Sequence, residues 1–177
     1  MNPPSYKQAL TAAMSALAAD PARLFIGYGL THGRAAGTLA GVPAAQLLET
    51  PVAENLMVGL AIGAALRGRK PVVYFERADF VLNAMDAIVN HLDKIAGLSR
   101  GQFTPGVILR ITVGNTQKPL FTGATHTQDV TAALRTLVSF PVFALHHADA
   151  IASTYALAAQ ATENGTPCAV VEYKDLW

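Results

Sequence analysis

Glu49-Thr50-Pro51-Val52-Ala53-Glu54-Asn55-Leu56-Met57-Val58-Gly59-Leu60-Ala61-Ile62-Gly63-Ala64-Ala65-Leu66-Arg67-Gly68-Arg69-Lys70-Pro71-Val72-Val73 holds a helix start, an uncharged helical run and the opening of a strand. Thr50 and Pro51 open a helix over residues 53–67, residues 56–66 carry no charge, and residues 71–75 form an apolar strand. Glu54 therefore lies in the first turn of a helix whose body is buried. A carboxylate there can simply complement the partial positive charge of the helix N-terminus. It can also face a ligand while its helix packs away from water. Which of these holds depends on what the other elements bring beside it.

Working outward, Ser5 caps a helix through residue 18, and Asp20-Pro21 ends it. Residues 24–26 are a short apolar strand, followed by a loop rich in Gly, Thr and His from 27 to 41. Further strands fall at 46–48, 71–75, 107–111, 142–145 and 168–173. Residues 80–97 read as one long helix, with apolar positions at Phe80, Ala84, Ala87, Ile88, Val89, Leu92 and Ile95. A second Gly/Thr/His loop spans 114–126, a helix follows over 128–137, and the last helix, 149–164, stops at Gly165. Strands alternate with helices and are continuous apolar runs. The expected fold class is α/β, three layers with a mainly parallel sheet and helices on both faces. No repeat, low-complexity tract or linker interrupts the chain, so the expected organisation is one domain over residues 1–177.

Charged residues make up 14% of the chain, against roughly 25% in a typical soluble protein, while 51% are hydrophobic. So few charges leave apolar surface to be buried against partner subunits. The balance of 13 Lys+Arg against 12 Asp+Glu shows no basic stripe, so no nucleic-acid partner is expected. The single Cys168 sits in a strand and excludes a disulfide framework, which fits a reducing, cytoplasmic setting. No apolar run is long enough to span a bilayer, and Lys7 and Gln8 interrupt any signal-peptide pattern.

In a parallel sheet, ligands bind outside the C-terminal ends of the strands. The residues there are the 27–33 loop, Glu54, residues 76–80, the loop to His126, and His146-His147. Gly27-Tyr28-Gly29-Leu30-Thr31-His32-Gly33, with Glu49 ending the next strand, invites a dinucleotide-binding reading. Its glycine spacing misses the fingerprint by one residue and leaves little room for the crossover helix. The histidines are scattered, with no metal-ligand spacing. His91 reads as a helix-packing or interface residue, and His146 and His147 as loop surface. Asp86 and Asp93 fall on the solvated or partner-facing side of the long helix. There is no nucleophile elbow and no phosphate-binding loop.

Taken in order, Thr50-Pro51-Val52-Ala53-Glu54, then Gly59 to Gly68, Arg69-Lys70-Pro71-Val72-Val73, Ala78-Asp79-Phe80, Asp86-Ala87-Ile88-Val89-Asn90 and Gly101-Gln102-Phe103-Thr104 resemble a known pattern. It is that of the beta subunits of 2-oxo acid dehydrogenase complexes and of the matching domain of transketolases. Thr125-His126-Thr127-Gln128 looks like the family's His-Ser-Gln segment, and residues 167–177 like the end of its first domain. The resemblance implies a pyrimidine-binding domain for thiamine diphosphate. By that carry-over Glu54 hydrogen-bonds the ring nitrogen of the aminopyrimidine and favours its imino tautomer, which then deprotonates the thiazolium carbon. Phe80 packs on the ring, Glu76 lies on the same cofactor-binding rim, and His126 stands near the reacting carbon, suited to proton transfer. The implied substrate is a 2-oxo acid or ketose.

This sequence departs from the family in places. Tyr28 and Gly29 follow Gly27 where an acidic residue is usual, Glu76 stands where Met or Gln is usual, and Arg77 where Phe or Thr is common. The chain has no Gly-Asp-Gly followed by Asn, the pattern that holds magnesium and diphosphate in the family, and it ends before that family's C-terminal domain. The resemblance thus implies a split enzyme whose separate diphosphate-binding subunit holds most of the magnesium site, assembled as a heterodimer or heterotetramer. A non-catalytic assembly or regulatory subunit is the alternative, and a nucleotide-binding dehydrogenase domain a third reading.

Overall fold

The computed structural model describes residues 3–119 and 123–177; residues 120–122 of the expected 114–126 loop lie outside the described residues. Six strands, β1 (Arg23–Gly27), β2 (Leu47–Glu49), β3 (Lys70–Phe75), β4 (Ile108–Val113), β5 (Val142–Ala144) and β6 (Cys168–Tyr173), form one sheet in the order β2-β1-β3-β4-β6-β5. Every neighbouring pair is parallel, as expected. Helices α1 (Tyr6–Ala18) and α5 (Asp149–Glu163) cover one face, and α2 (Glu54–Leu66) and α4 (Thr131–Leu137) the other. Phe25, Val72, Tyr74, Ile108 and Val170 point to the first layer, while Ile26, Val73, Phe75, Leu109 and Val171 point to the second. With both faces buried, the strands are mostly apolar, and the polar residues they do carry, such as Arg110 and Thr112 on β4 and Glu172 on β6, are buried too. α1 begins on a capping box: Ser5 Oγ accepts from the Gln8 amide at 3.3 Å, and Gln8 Oε1 accepts from the Ser5 amide at 2.9 Å.

The long helix expected over 80–97 is broken. A 3₁₀ turn (Ala78–Ala84), a π-helical turn (Ala87–Leu92) and a short α3 (Ile95–Leu98) replace it. The Ala87 amide donates to Asn55 Oδ1 on α2 at 3.2 Å. A side chain thus takes a donor that an α-helix would use, and the backbone widens to π pitch just beyond it. Apolar spacing cannot register this, because Ala84, Ala87, Ile88 and Leu92 stay buried either way. Asp93 does not lie on the solvated side of this segment, since its side chain is only 1% exposed. It accepts from the amide and hydroxyl of Ser139, both at 2.7 Å, and pairs with Lys94. Asp86 is solvated as expected, bonded to Asn90 and near His91.

The loop after β1 contains a left-handed turn, with φ of 44°, 43° and 54° at Arg34, Ala35 and Ala36. Such backbone costs non-glycine residues roughly 1–2 kcal/mol each. Buried Ala35 and Leu39 hold it down, and Thr38 Oγ1 accepts from Arg110 Nη2 at 2.8 Å. From β1 the chain moves outward to β2 and returns on the other side of β1 as β3. That reversal opens a crevice at the C-terminal ends of β1 and β3, where parallel sheets bind their ligands.

Candidate functional site

A pocket of about 300 Å³ occupies this crevice. Glu54, Glu76, Phe80 and His126, the four residues singled out from sequence, all line it. They come from four places in the chain: the first turn of α2, the end of β3, the 3₁₀ turn after it, and the 3₁₀ turn Gly123–His126. Val52, Met57 and Phe75 give apolar walls, and Tyr28 and Arg77 complete the rim.

Glu54 is 9% exposed. The residue before it, Ala53, caps α2 without a side-chain bond, so the carboxylate is the acidic group of the first turn. Asn83 Nδ2 donates to Glu54 Oε2 at 3.4 Å. The ring of Phe80 meets that of His126 edge-on, with centroids 5.2 Å apart and planes at 89°. Asp79 holds that meeting in place: its Oδ1 accepts from the Gln128 side chain at 2.8 Å and the Gln128 amide at 3.3 Å. The turn bearing Phe80 is thereby tied to the segment just past His126. Gly114 is the other fixed point. A Cβ there would lie 1.7 Å from the His126 carbonyl oxygen and 3.2 Å from Arg77 Cδ, so only glycine lets β4 end under both residues.

Asn83, Asp79 and Gly114 were not expected as site residues. In the sequence Asp79 is marked only by its place in the rim stretch 76–80 and in the resembling Ala78-Asp79-Phe80 segment, Gly114 by following an apolar strand, and Asn83 by nothing. His146 stacks on Tyr173, with centroids 4.7 Å apart, and does not line the pocket. His91 is exposed and lies 3.4 Å from Asp86.

Glu49, part of the dinucleotide-binding reading, instead shapes the loop carrying Tyr28. It accepts from the Gly29 amide at 2.5 Å, the Thr31 amide at 2.6 Å and the Thr31 hydroxyl at 2.9 Å. Burial pushes its carboxyl up, but the donors on Thr31, Gly29 and Leu30 outweigh burial and hold it below the usual range. With a depressed folded pKa, its stabilisation is present above the unfolded pKa and lost as pH falls through the folded one. Glu49→Gln is therefore expected to cost about 1 kcal/mol at neutral pH. Thermal unfolding from pH 7 downward should show the gap to wild type closing below about pH 4.

A fully parallel sheet with its pocket at the strand reversal defines an α/β domain of the class that holds small molecules over its strand ends. The chain belongs to the transketolase pyrimidine-binding domain family: the family described as "Transketolase, pyrimidine binding domain" matches residues 2–177. Among curated relatives, the pyruvate dehydrogenase E1 component subunit beta of Leifsonia xyli subsp. xyli is 36% identical over 110 residues, covering 56% of this chain and 31% of that protein. The subunit beta-2, mitochondrial, of Oryza sativa subsp. japonica is 30% identical over 128 residues, covering 69% and 33%. The chain is also similar in fold to a solved structure titled "Split gene transketolase, inactive beta4 tetramer", with a TM-score of 0.75 and 18% identity. That match covers 98% of this chain and 52% of the other. The matches thus span about a third of these curated relatives and about half of the structural neighbour.

Proposed function

We propose that this chain is the pyrimidine-binding subunit of a heteromeric thiamine diphosphate enzyme that makes or breaks a carbon–carbon bond next to a carbonyl. The substrate class is a 2-oxo acid or a ketose. The observation that carries this reading is a buried carboxylate, Glu54, facing the same pocket as Phe80 and His126. An aminopyrimidine has flat apolar faces and a polar edge. A cavity of about 300 Å³ with Met57 and Phe75 walls, an aromatic ring and one acidic group fits such a ring. Glu54 would bond the ring nitrogen and hold a proton there, and Phe80 would pack on the ring face. His126 would carry a proton to or from the substrate oxygen. When bound, thiamine diphosphate supplies the electron sink for the bond cleavage or formation.

The diphosphate and magnesium contacts are given, in this reading, to a separate subunit. The outer face of α2 supports a subunit contact: Leu56, Leu60 and Leu66 are 48%, 40% and 42% exposed, and a Cβ on Gly59 or Gly63 would meet nothing within 4 Å. Cys168 is buried and unpaired, its thiol pushed up to about 12 by burial, which fits a reducing cytoplasm. Among the described residues no helix is long and apolar enough to cross a membrane.

Isothermal titration with thiamine diphosphate and magnesium tests the reading. The lone chain should bind weakly and the chain with its partner at micromolar concentration. Micromolar binding by the lone chain would overturn the half-site, and no binding by the pair would overturn the cofactor assignment.

A further inference from the structure

Two cations converge on one carboxylate at the edge of the pocket. Glu76 Oε1 lies 3.4 Å from Arg77 Nη1 and 3.9 Å from Lys174 Nζ. Arg77 Nη1 also donates to the Glu76 carbonyl at 2.6 Å. The Arg77 and Lys174 side chains are 9% and 15% exposed, so both charges are largely out of water. Among the described residues Glu76 is the one carboxylate in an ion pair with either cation, and the nearby acids bond neutral donors. Asp175 accepts from Thr116 and Gln117, Asp129 from Thr131 and Tyr173, Asp79 from Gln128, and Glu54 from Asn83.

More positive charge stands behind. Lys7 and Lys174 flank the Trp177 ring, 5.6 Å and 5.1 Å from its centroid. Burial first, and then the charge of Arg77, pull the Lys174 ammonium down to about 8; Glu76 only partly opposes them. Holding two desolvated cations on one shared carboxylate is unfavourable for the fold by itself. One further anion would balance it, and Arg77 lines the pocket from which that anion can arrive.

We propose that Arg77, backed by Lys174, forms an anion subsite that receives a carboxylate or phosphate group on the substrate, away from its reacting carbonyl. The proposal rests on the pocket being a cofactor and substrate site, and narrows the substrate to one with an added negative charge. Both groups suit the planar guanidinium fork, which bonds either in bidentate fashion, while Lys174 adds a point charge. Glu76 keeps the guanidinium in place until the anion binds.

The test is titration of the full ¹⁵N-labelled chain with inorganic phosphate and, separately, with glutarate at constant ionic strength, following the Arg77 Nε–H signal. The expected result is saturable movement of that signal with at least one probe. Arg77→Gln should weaken binding by about tenfold or more, the range of a hydrogen bond to a charged group. Lys174→Gln should weaken it by a smaller factor, which keeps the test valid if Arg77→Gln fails to fold. Response to phosphate alone identifies a phosphorylated substrate, and response to glutarate alone a second carboxylate. No saturable response to either probe, or unchanged affinity in the folded variants, overturns the subsite. Cofactor binding by the chain with its partner is read separately. If the pair binds thiamine diphosphate while neither probe moves Arg77, only the subsite falls. If a probe binds but the pair ignores the cofactor, the cofactor reading falls instead.

Discussion

Glu54→Gln, in the chain assembled with its partner, is expected to lower turnover on the order of 10²-fold or more while cofactor affinity stays within a few-fold. The amide keeps the shape of the side chain and can still bond a ring nitrogen. It cannot carry the negative charge that stabilises a proton there. The setting makes that charge matter: Glu54 is 9% exposed beside apolar Met57 and Phe75, where water screens little. Its one hydrogen-bond donor among the described residues, Asn83, is neutral and 3.4 Å away, and no ion pair to the carboxylate forms among them. Exchange of the thiazolium proton with deuterated water isolates the effect, since it needs no substrate. Wild-type exchange rates in the variant would reduce Glu54 to an acidic residue that merely complements the α2 N-terminus.

The parallel sheet was legible because burial on both faces leaves the strands largely apolar, as in Pro71-Val72-Val73 and Cys168-Ala169-Val170-Val171, with the Arg110 and Glu172 pair as the charged exception. The assembly of Glu54, Glu76, Phe80 and His126 in one pocket was legible from their places past the strand ends and from the family resemblance. What stayed hidden depends on contacts across the fold. Asn55 is an unremarkable polar residue in a helix until its side chain takes the Ala87 amide, where the expected helix turns to π geometry. Asp93 falls on a charged helical face by spacing, yet Ser139, distant in sequence, buries it. The turn at Arg34, Ala35 and Ala36 has no glycine at those positions to mark its positive φ. Arg77 was seen as a departure from the family, but Lys174 comes beside it only because β3 and β6 both flank β4.

Glu172→Leu is expected to destabilise the fold by about 3–5 kcal/mol, the usual effect of removing one partner of a buried ion pair. For a domain of this size that is a fall in Tm of roughly 6 to 20 °C. Arg110 and Glu172 lie on β4 and β6 and are both wholly buried. Arg110 Nε and Nη2 donate to the two carboxylate oxygens at 2.8 Å and 2.9 Å, and the Tyr155 hydroxyl donates to Glu172 as well. Burial by itself would lower the Arg110 pKa; Glu172 outweighs it and fixes the charge. The same guanidinium lies 4.9 Å from the Tyr74 ring centroid and holds Thr38 in the loop after β1. Without Glu172 it stays charged with no counter-ion, and its hold on the sheet, α5 and that loop weakens together. The double variant Arg110→Met, Glu172→Leu removes the stranded charge at similar volume, so it should recover at least half of the lost stability despite leaving Tyr155 and Thr38 short of partners. Thermal or urea unfolding of the two variants decides the cause. A double variant no more stable than Glu172→Leu would mean that lost packing and hydrogen bonds, not an uncompensated guanidinium, set the cost.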